Sequence, residues 1–135
     1  MSTDSETEPI IVLSSALLDM RVKGKKELEE AGYKIIICLD CQSTLEALHS
    51  CVPQVLIADC NMLCADGQSL LVQLSQSDAY KHIPVLALLV QDQDLPEWVW
   101  EHPRGQTVCF LTLPFAKGEL KEFIRRIIQA VYSQR

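Results

Sequence analysis

Five short apolar runs punctuate this chain, and none of them sustains an alternation of polar and apolar residues: Ile10-Ile11-Val12-Leu13, Tyr33-Lys34-Ile35-Ile36-Ile37-Cys38, Val55-Leu56-Ile57-Ala58, Pro84-Val85-Leu86-Ala87-Leu88-Leu89-Val90 and residues 107–113. Runs this short and this rich in β-branched residues are the pattern of strands buried on both faces, which belong to parallel sheets covered by helices. Parallel neighbours cannot be joined by hairpins. Each needs a crossover, normally a helix that runs right-handed over the sheet.

The segments between the runs supply those crossovers. Residues 16–31 place Leu17, Met20, Gly24, Leu28 and Ala31 three or four apart, opposite Arg21, Lys25, Lys26, Glu29 and Glu30, and Gly32 is expected to end that helix in a left-handed conformation. Ser43 and Glu46 have the spacing of a capping box, opening a second helix through Leu45 and Leu48 that Pro53 closes off. Residues 69–75 form a third. Asp94 and Glu97, with Pro96 in the first turn, predict a fourth over residues 95–101 that ends before Pro103. The fifth carries the clearest apolar stripe, Leu120, Phe123, Ile124, Ile127, Ile128 and Val131.

Strands alternating with helices in this way predict an α/β chain: a three-layer αβα sandwich on a doubly wound, five-stranded parallel sheet, forming one domain over residues 9–133. Residues 1–8 are polar and acidic and are expected to be a disordered tail. At 135 residues and 48% hydrophobic content the chain can fill a core of its own. The net charge of −6 gives no reason to expect nucleic-acid binding by this domain. No apolar run approaches the roughly 20 residues of a membrane span, and no signal-peptide core is visible, so the expected compartment is the cytoplasm. The spacings Cys38-x-x-Cys41 and Cys60-x-x-x-Cys64 superficially suggest a metal or redox site. Cys38 and Cys60 lie at the ends of apolar runs, however, where cysteine acts as a small hydrophobe, so all six thiols are expected to be reduced and metal-free. His49, His82 and His102 fall in separate segments without an evident nucleophile partner. No glycine-rich phosphate loop or G-x-S-x-G elbow is present, so neither an enzyme nor a cofactor is expected.

The third run ends on Asp59, followed by Cys60-Asn61-Met62-Leu63-Cys64-Ala65-Asp66-Gly67. The carboxyl ends of parallel strands are where loops converge and ligands collect. This stretch resembles the phosphoacceptor strand and loop of bacterial response-regulator receiver domains, the input modules of two-component signalling, in which the aspartate is followed by Asn-Met-Pro and then Asp-Gly. Leu63 stands where the family usually has proline. The resemblance extends over about residues 9–131 and includes Ala31-Gly32-Tyr33, Ile83-Pro84-Val85 and Phe110-Leu111-Thr112-Leu113-Pro114-Phe115. The corresponding flavodoxin-like strand order, 2-1-3-4-5, sets the ends of strands one and three side by side, with Ser14 and Ser15 facing Asp59.

In receivers the resemblance would imply an acidic pair after strand one, the phosphoacceptor aspartate, a Ser/Thr after strand four, a lysine before Pro-Phe and an aromatic switch residue. Mg²⁺ held by the carboxylates, the lysine and the hydroxyl together offset the phosphoryl charge. Matched residue by residue, this chain keeps Asp59 at the phosphoacceptor position and Phe110 as the switch-type aromatic, with Asn61 counted among the degenerate pocket positions. Ser14 and Ser15 replace the acidic pair, Leu89 the Ser/Thr and Leu113 the lysine, while Asp19 and Asp40 lie off the strand ends.

The favoured reading is a degenerate receiver: a protein–protein interaction module that works without phosphorylation and without Mg²⁺. The alternatives are a working atypical receiver phosphorylated on Asp59 with Mg²⁺ bound, and an unrelated flavodoxin-like enzyme or cofactor binder. Asp59 is expected to be a net cost to the fold at neutral pH, desolvation outweighing any hydrogen bonds from Ser14 or Ser15. Trp98 and Trp100, two residues apart on the fourth helix, cannot both face the sheet. With Phe110 they suggest a partner surface on the fourth helix, fifth strand and fifth helix, used by a homodimer or a fixed protein partner, with a sensor histidine kinase as one candidate.

Overall fold

The computed structural model describes residues 9–90 and 108–132. In chain order they form β1 (Ile10–Ser14), α1 (Leu18–Glu30), β2 (Lys34–Cys38), α2 (Cys41–Ser50), β3 (Val55–Asp59), α3 (Leu70–Ser75), β4 (Val85–Val90), β5 (Val108–Leu113) and α4 (Glu119–Tyr132). The five strands make one sheet in the order β2-β1-β3-β4-β5, every pair parallel. The expected strand order and doubly wound architecture therefore hold. The helix expected over residues 95–101, with Trp98 and Trp100, lies outside the described residues, so α4 is the helix counted fifth from the sequence.

Alternation along each strand divides the core into two layers. Ile11, Leu13, Val55, Ile57, Leu86 and Leu88 face α1 and α4, where Met20, Leu28, Leu120, Ile124 and Ile127 meet them. Val12, Leu56, Ala58, Val85 and Ala87 face the other way, against Leu48 of α2 and Leu70, Leu71 and Leu74 of α3. Both faces of β3 are consequently buried along its whole length, as a central parallel strand requires.

Local chemistry sets the helix ends. Gly32 has φ 100°, which only glycine adopts without strain, and it turns the chain from α1 into β2. The second helix begins earlier than the Ser43/Glu46 spacing suggests. Asp40 is the N-cap: its Oδ1 accepts from Ser43 N at 2.9 Å, and Ser43 Oγ accepts from Asp40 N at 3.2 Å, so the capping box is Asp40/Ser43. A carboxylate is as good a cap as serine, and choosing it gains three further helical residues, Cys41, Gln42 and Ser43. The Ser43 N–H and hydroxyl together hold the Asp40 carboxyl below the usual range. Glu46 becomes a mid-helix residue that accepts from Gln42.

Two contacts lock α1 into this frame. Gly24 sits where a Cβ would lie 2.9 Å from Leu13 Cδ2 and 3.0 Å from Met20 Cε, so the missing side chain lets α1 approach β1 closely. Glu27 reaches from α1 to the start of α4, its two oxygens accepting from Gly118 N and Lys121 N, each at 2.9 Å. This is an N-cap supplied by a neighbouring helix, and it satisfies donors that a helix leaves free at its start. Glu27→Ala is expected to lower stability by about 1–2 kcal/mol, with Glu27→Gln intermediate, as measured by urea unfolding. Gly24→Val is expected to cost about 1–3 kcal/mol through overpacking against Leu13 and Met20. An unchanged midpoint for Gly24→Val would show that the layers slide apart at no cost.

Candidate functional site

Strands β1 and β3 end side by side, with Ser14 paired to Ala58, and the loops that leave them form the crevice at the switch point of the sheet. Asp59 closes β3 there, 8% exposed. Its Oδ1 accepts from Ser15 Oγ at 2.8 Å and its Oδ2 from Ala16 N at 2.8 Å. Ser15 is itself held in place: its Oγ accepts from Leu17 N at 3.1 Å, and Arg21 Nη1 donates to its carbonyl at 2.8 Å. Each oxygen of the carboxylate thus has a donor from the turn between β1 and α1. Arg21 and the Ala16 N–H were not among the residues singled out from the sequence. A backbone donor leaves no trace in residue identity, and Arg21 looks like one more charge on a solvated helix face.

Of the two serines only Ser15 meets Asp59. Ser14 shares the sheet face of Val12 and points towards α2, so the expectation that both face the carboxylate is corrected by the pleat of β1. Thr44 Oγ1 donates to the Asp40 carbonyl at 2.6 Å, which leaves the Ser14 hydroxyl to donate to Thr44 at 2.5 Å, with Met62 Sδ beside it at 3.2 Å. Ser14, Ser15 and Thr44 are fully buried, and these bonds satisfy them.

The remaining positions are apolar or turned elsewhere. Leu88 is paired with Asp59 across the sheet, and Leu89 follows it, half-buried against the α2/α3 layer. Leu113 ends β5 and, with Leu17, Met20, Val90, Pro114 and Phe115, lines a groove of about 280 Å³ with Asp19 and Lys23 at its rim. Phe110 is half-buried on β5 and packs against the α2/α3 layer. Asn61 is exposed. Asp19 pairs with Lys23 at 3.2 Å with its side chain 79% exposed, and Asp40 is committed to capping α2. The oxygens gathered at the crevice are therefore one carboxylate, already accepting two hydrogen bonds, and hydroxyls. This donor set does not fit Mg²⁺, which favours charged oxygens in near-octahedral array. Among the described residues no three His, Cys, Asp or Glu side chains cluster in a way that could hold a metal ion.

The cysteines depart from expectation. Cys41 and Cys64 are joined in a disulfide, with Cα atoms 5.1 Å apart, whereas Cys38, Cys51, Cys60 and Cys109 form no disulfide. The bonded pair takes one cysteine from each of the two spacings noted in the sequence. The fold lays the loop after β3 beside the first turn of α2, and that proximity is invisible in a sequence separation of 23 residues. Cys60, next to Asp59, is buried. Desolvation, and after it the Asp59 charge, pushes its thiol up to about 11.

No protein-family model matches the chain, and no curated protein matches it. Solved structures do. The chemotaxis response regulator CheY4 of Vibrio cholerae superposes with a TM-score of 0.73 at 22% identity, over 90% of this chain and 99% of that one. The signal receiver domain of an HD domain-containing protein from Pseudomonas fluorescens Pf-5 gives 0.77 at 22% identity, over 95% and 92%. That of a signal transduction histidine kinase from Syntrophus aciditrophicus gives 0.74 at 22%, over 92% of both chains. Among the described residues no helix is long and apolar enough to cross a membrane. Identities of this size speak for architecture, and the architecture is plain: the chain has the receiver-domain fold of two-component response regulators.

Proposed function

We propose that this chain is a degenerate receiver, a protein–protein interaction module of bacterial two-component signalling that works without phosphorylation. The observation that supports this best is the state of Asp59, whose two oxygens already accept from Ser15 Oγ and Ala16 N. Leu88 pairs with Asp59 across the sheet, and leucines, Leu89 and Leu113, stand at the two positions where an active receiver would carry its hydroxyl and its lysine. A phosphoryl group on Asp59 would bring about two negative charges into a site without Mg²⁺ or lysine to offset them. The carboxylate acts instead as a structural acceptor that ties the turn after β1 to the end of β3.

The partner surface in this reading combines β5, α4 and the segment carrying Trp98 and Trp100. A surface that needs no phosphorylation binds constitutively, either a second copy or a fixed protein partner, for which a sensor histidine kinase is a candidate.

Three outcomes are expected. First, acetyl phosphate with Mg²⁺ leaves the intact mass unchanged. A gain of one phosphoryl group, absent in Asp59→Asn, would establish the alternative of a working receiver. Second, Asp59→Ala strands the Ala16 N–H and the Ser15 hydroxyl and lowers stability by about 2 kcal/mol. Asp59→Asn can accept from Ala16 and donate to Ser15, so it stays within about 1 kcal/mol of the parent in urea unfolding. Equal losses in the two variants would mean that the charge, not the hydrogen-bond pattern, matters. Third, Trp98→Ala or Trp100→Ala weakens self-association or partner capture, read by light scattering and pull-down. Unchanged binding in both folded variants removes that surface.

A further inference from the structure

The disulfide bridges two elements that flank the candidate site. Cys41 is the first residue of α2, directly after the Asp40 cap, and Cys64 lies in the middle of the loop, residues 60–69, that leaves Asp59. Other ties between that loop and the rest of the fold are few. They lie at its base, where Cys60 N donates to Leu88 O at 2.8 Å and Ser14 Oγ meets Met62 Sδ at 3.2 Å; beyond it, Cys64 N donates to Gln68 O, Gly67 N to Cys64 O and Leu70 N to Met62 O, bonds that run within the loop or to the start of α3. Met62 anchors the base of the loop by burial, while Leu63 and residues 65–68 are exposed.

The two sulfurs are not equivalent. Cys41 is 5% exposed, whereas Cys64 is partly open to solvent. An attacking thiolate therefore reaches Cys64 Sγ, and the sulfur that leaves is Cys41, at the first position of a ten-residue helix. Free N–H groups and the helix dipole favour a thiolate there, and a better-stabilised leaving thiolate departs faster. The Asp40 carboxylate next to it opposes this, but Ser43 N and Ser43 Oγ already donate to that carboxylate. The buried thiols nearby are poor competitors: burial pushes the pKa of Cys38, as of Cys60, above the usual thiol value and so disfavours the thiolate.

We infer that Cys41–Cys64 is a site of reversible thiol–disulfide exchange with a dithiol reductant, and that its redox state sets whether the loop after Asp59 is clamped to α2. One thiolate of the reductant attacks Cys64 Sγ, the Cys41–Cys64 bond breaks, and Cys41 leaves as a thiolate that takes up a proton. The second thiol of the reductant then displaces Cys64 from the mixed disulfide. The protein gains two electrons and two protons, and the reductant leaves as its disulfide. A small-molecule disulfide such as oxidised glutathione runs the sequence backwards. The inference does not depend on the degenerate-receiver reading, since it concerns the loop whether or not Asp59 is modified.

The test uses the intact protein under native conditions with excess dithiothreitol, followed by alkylation with N-ethylmaleimide at pH 7–8 and peptide mapping. Cys41 and Cys64 should both become labelled, with Cys38 and Cys60 protected until the protein is unfolded. Amide hydrogen exchange in residues 60–70 should rise about tenfold on reduction, with β1 and β3 unchanged, and oxidised glutathione should restore it. Cys64→Ser, a change at the more exposed partner, should show the fast loop exchange with or without reductant. A bond that opens only in denaturant would mark a static cross-link and overturn the inference. So would native reduction that leaves the loop's exchange unchanged, or Cys64→Ser exchanging as slowly as the oxidised parent.

Discussion

Burial of β1, β3 and β4 on both faces is the constraint from which the rest of this structure follows. Ile11 to Leu13, Val55 to Ala58 and Leu86 to Ala87 are all completely inaccessible, so every polar backbone group along them must be paired within the sheet and both faces must be roofed. Parallel pairing with helical crossovers meets both demands together. It also forces the strand ends to converge, and β1 and β3 carry Ser14, Ser15 and Asp59 to one point beneath the helix layers. A polar cluster at that point is costly unless its members satisfy one another. The geometry of the site is largely the record of how they do so.

Two separate networks result, one on each side of the sheet. On the α1 side, Ser15 and the Ala16 N–H serve Asp59. On the α2 side, Ser14, Thr44 and the Asp40 carbonyl serve one another, next to Met62. Net hydrogen bonds to an ionised group are worth about 1.5–3 kcal/mol each, and the effective penalty for burying a carboxylate is several kcal/mol. Two donors therefore bring the account for Asp59 close to balance. Counting only serine hydroxyls, as residue identities allow, overstates the cost because the Ala16 N–H is missing from the count. Tertiary contacts of the side chain are thus enough to hold an aspartate at this position, without any requirement for metal or phosphate chemistry.

What was legible in the sequence was whatever depends on period and punctuation. Unalternated runs gave the parallel sheet, the stripe from Leu120 to Val131 gave the C-terminal helix, and Gly32 gave the end of α1, because each is a local demand on residue type. The registers were less visible. Asp40 and Ser43 compete equally as caps for α2, and only the strand end at Cys38 decides which one the chain reaches first. The Ser14/Ser15 split is readable in principle, since neighbours on a strand face opposite sides. The disulfide was not readable at all. Its partners belong to different crossovers, and the pairings suggested by short spacing, Cys38 with Cys41 and Cys60 with Cys64, are the ones the fold leaves unmade.

Those unmade pairings have a physical reason that also bears on what the site can do. Cys38 ends β2 and Cys60 follows β3, so both side chains are fixed by strand geometry inside the core, with Cys38 Sγ turned to the Ser43 carbonyl at 3.5 Å. Cys41 and Cys64 start a helix and sit in a loop, where the backbone is free to bring sulfurs together. The cross-link consequently falls on the part of the crevice with the least support from the sheet. The side of the crevice built by Ser15, Ala16 and Arg21 is held by hydrogen bonds that no thiol chemistry touches. A change of state at Cys41–Cys64 therefore alters one wall of the crevice and leaves Asp59 and its donors in place. That separation would let the loop respond to conditions without disturbing the buried carboxylate on which the end of β3 depends.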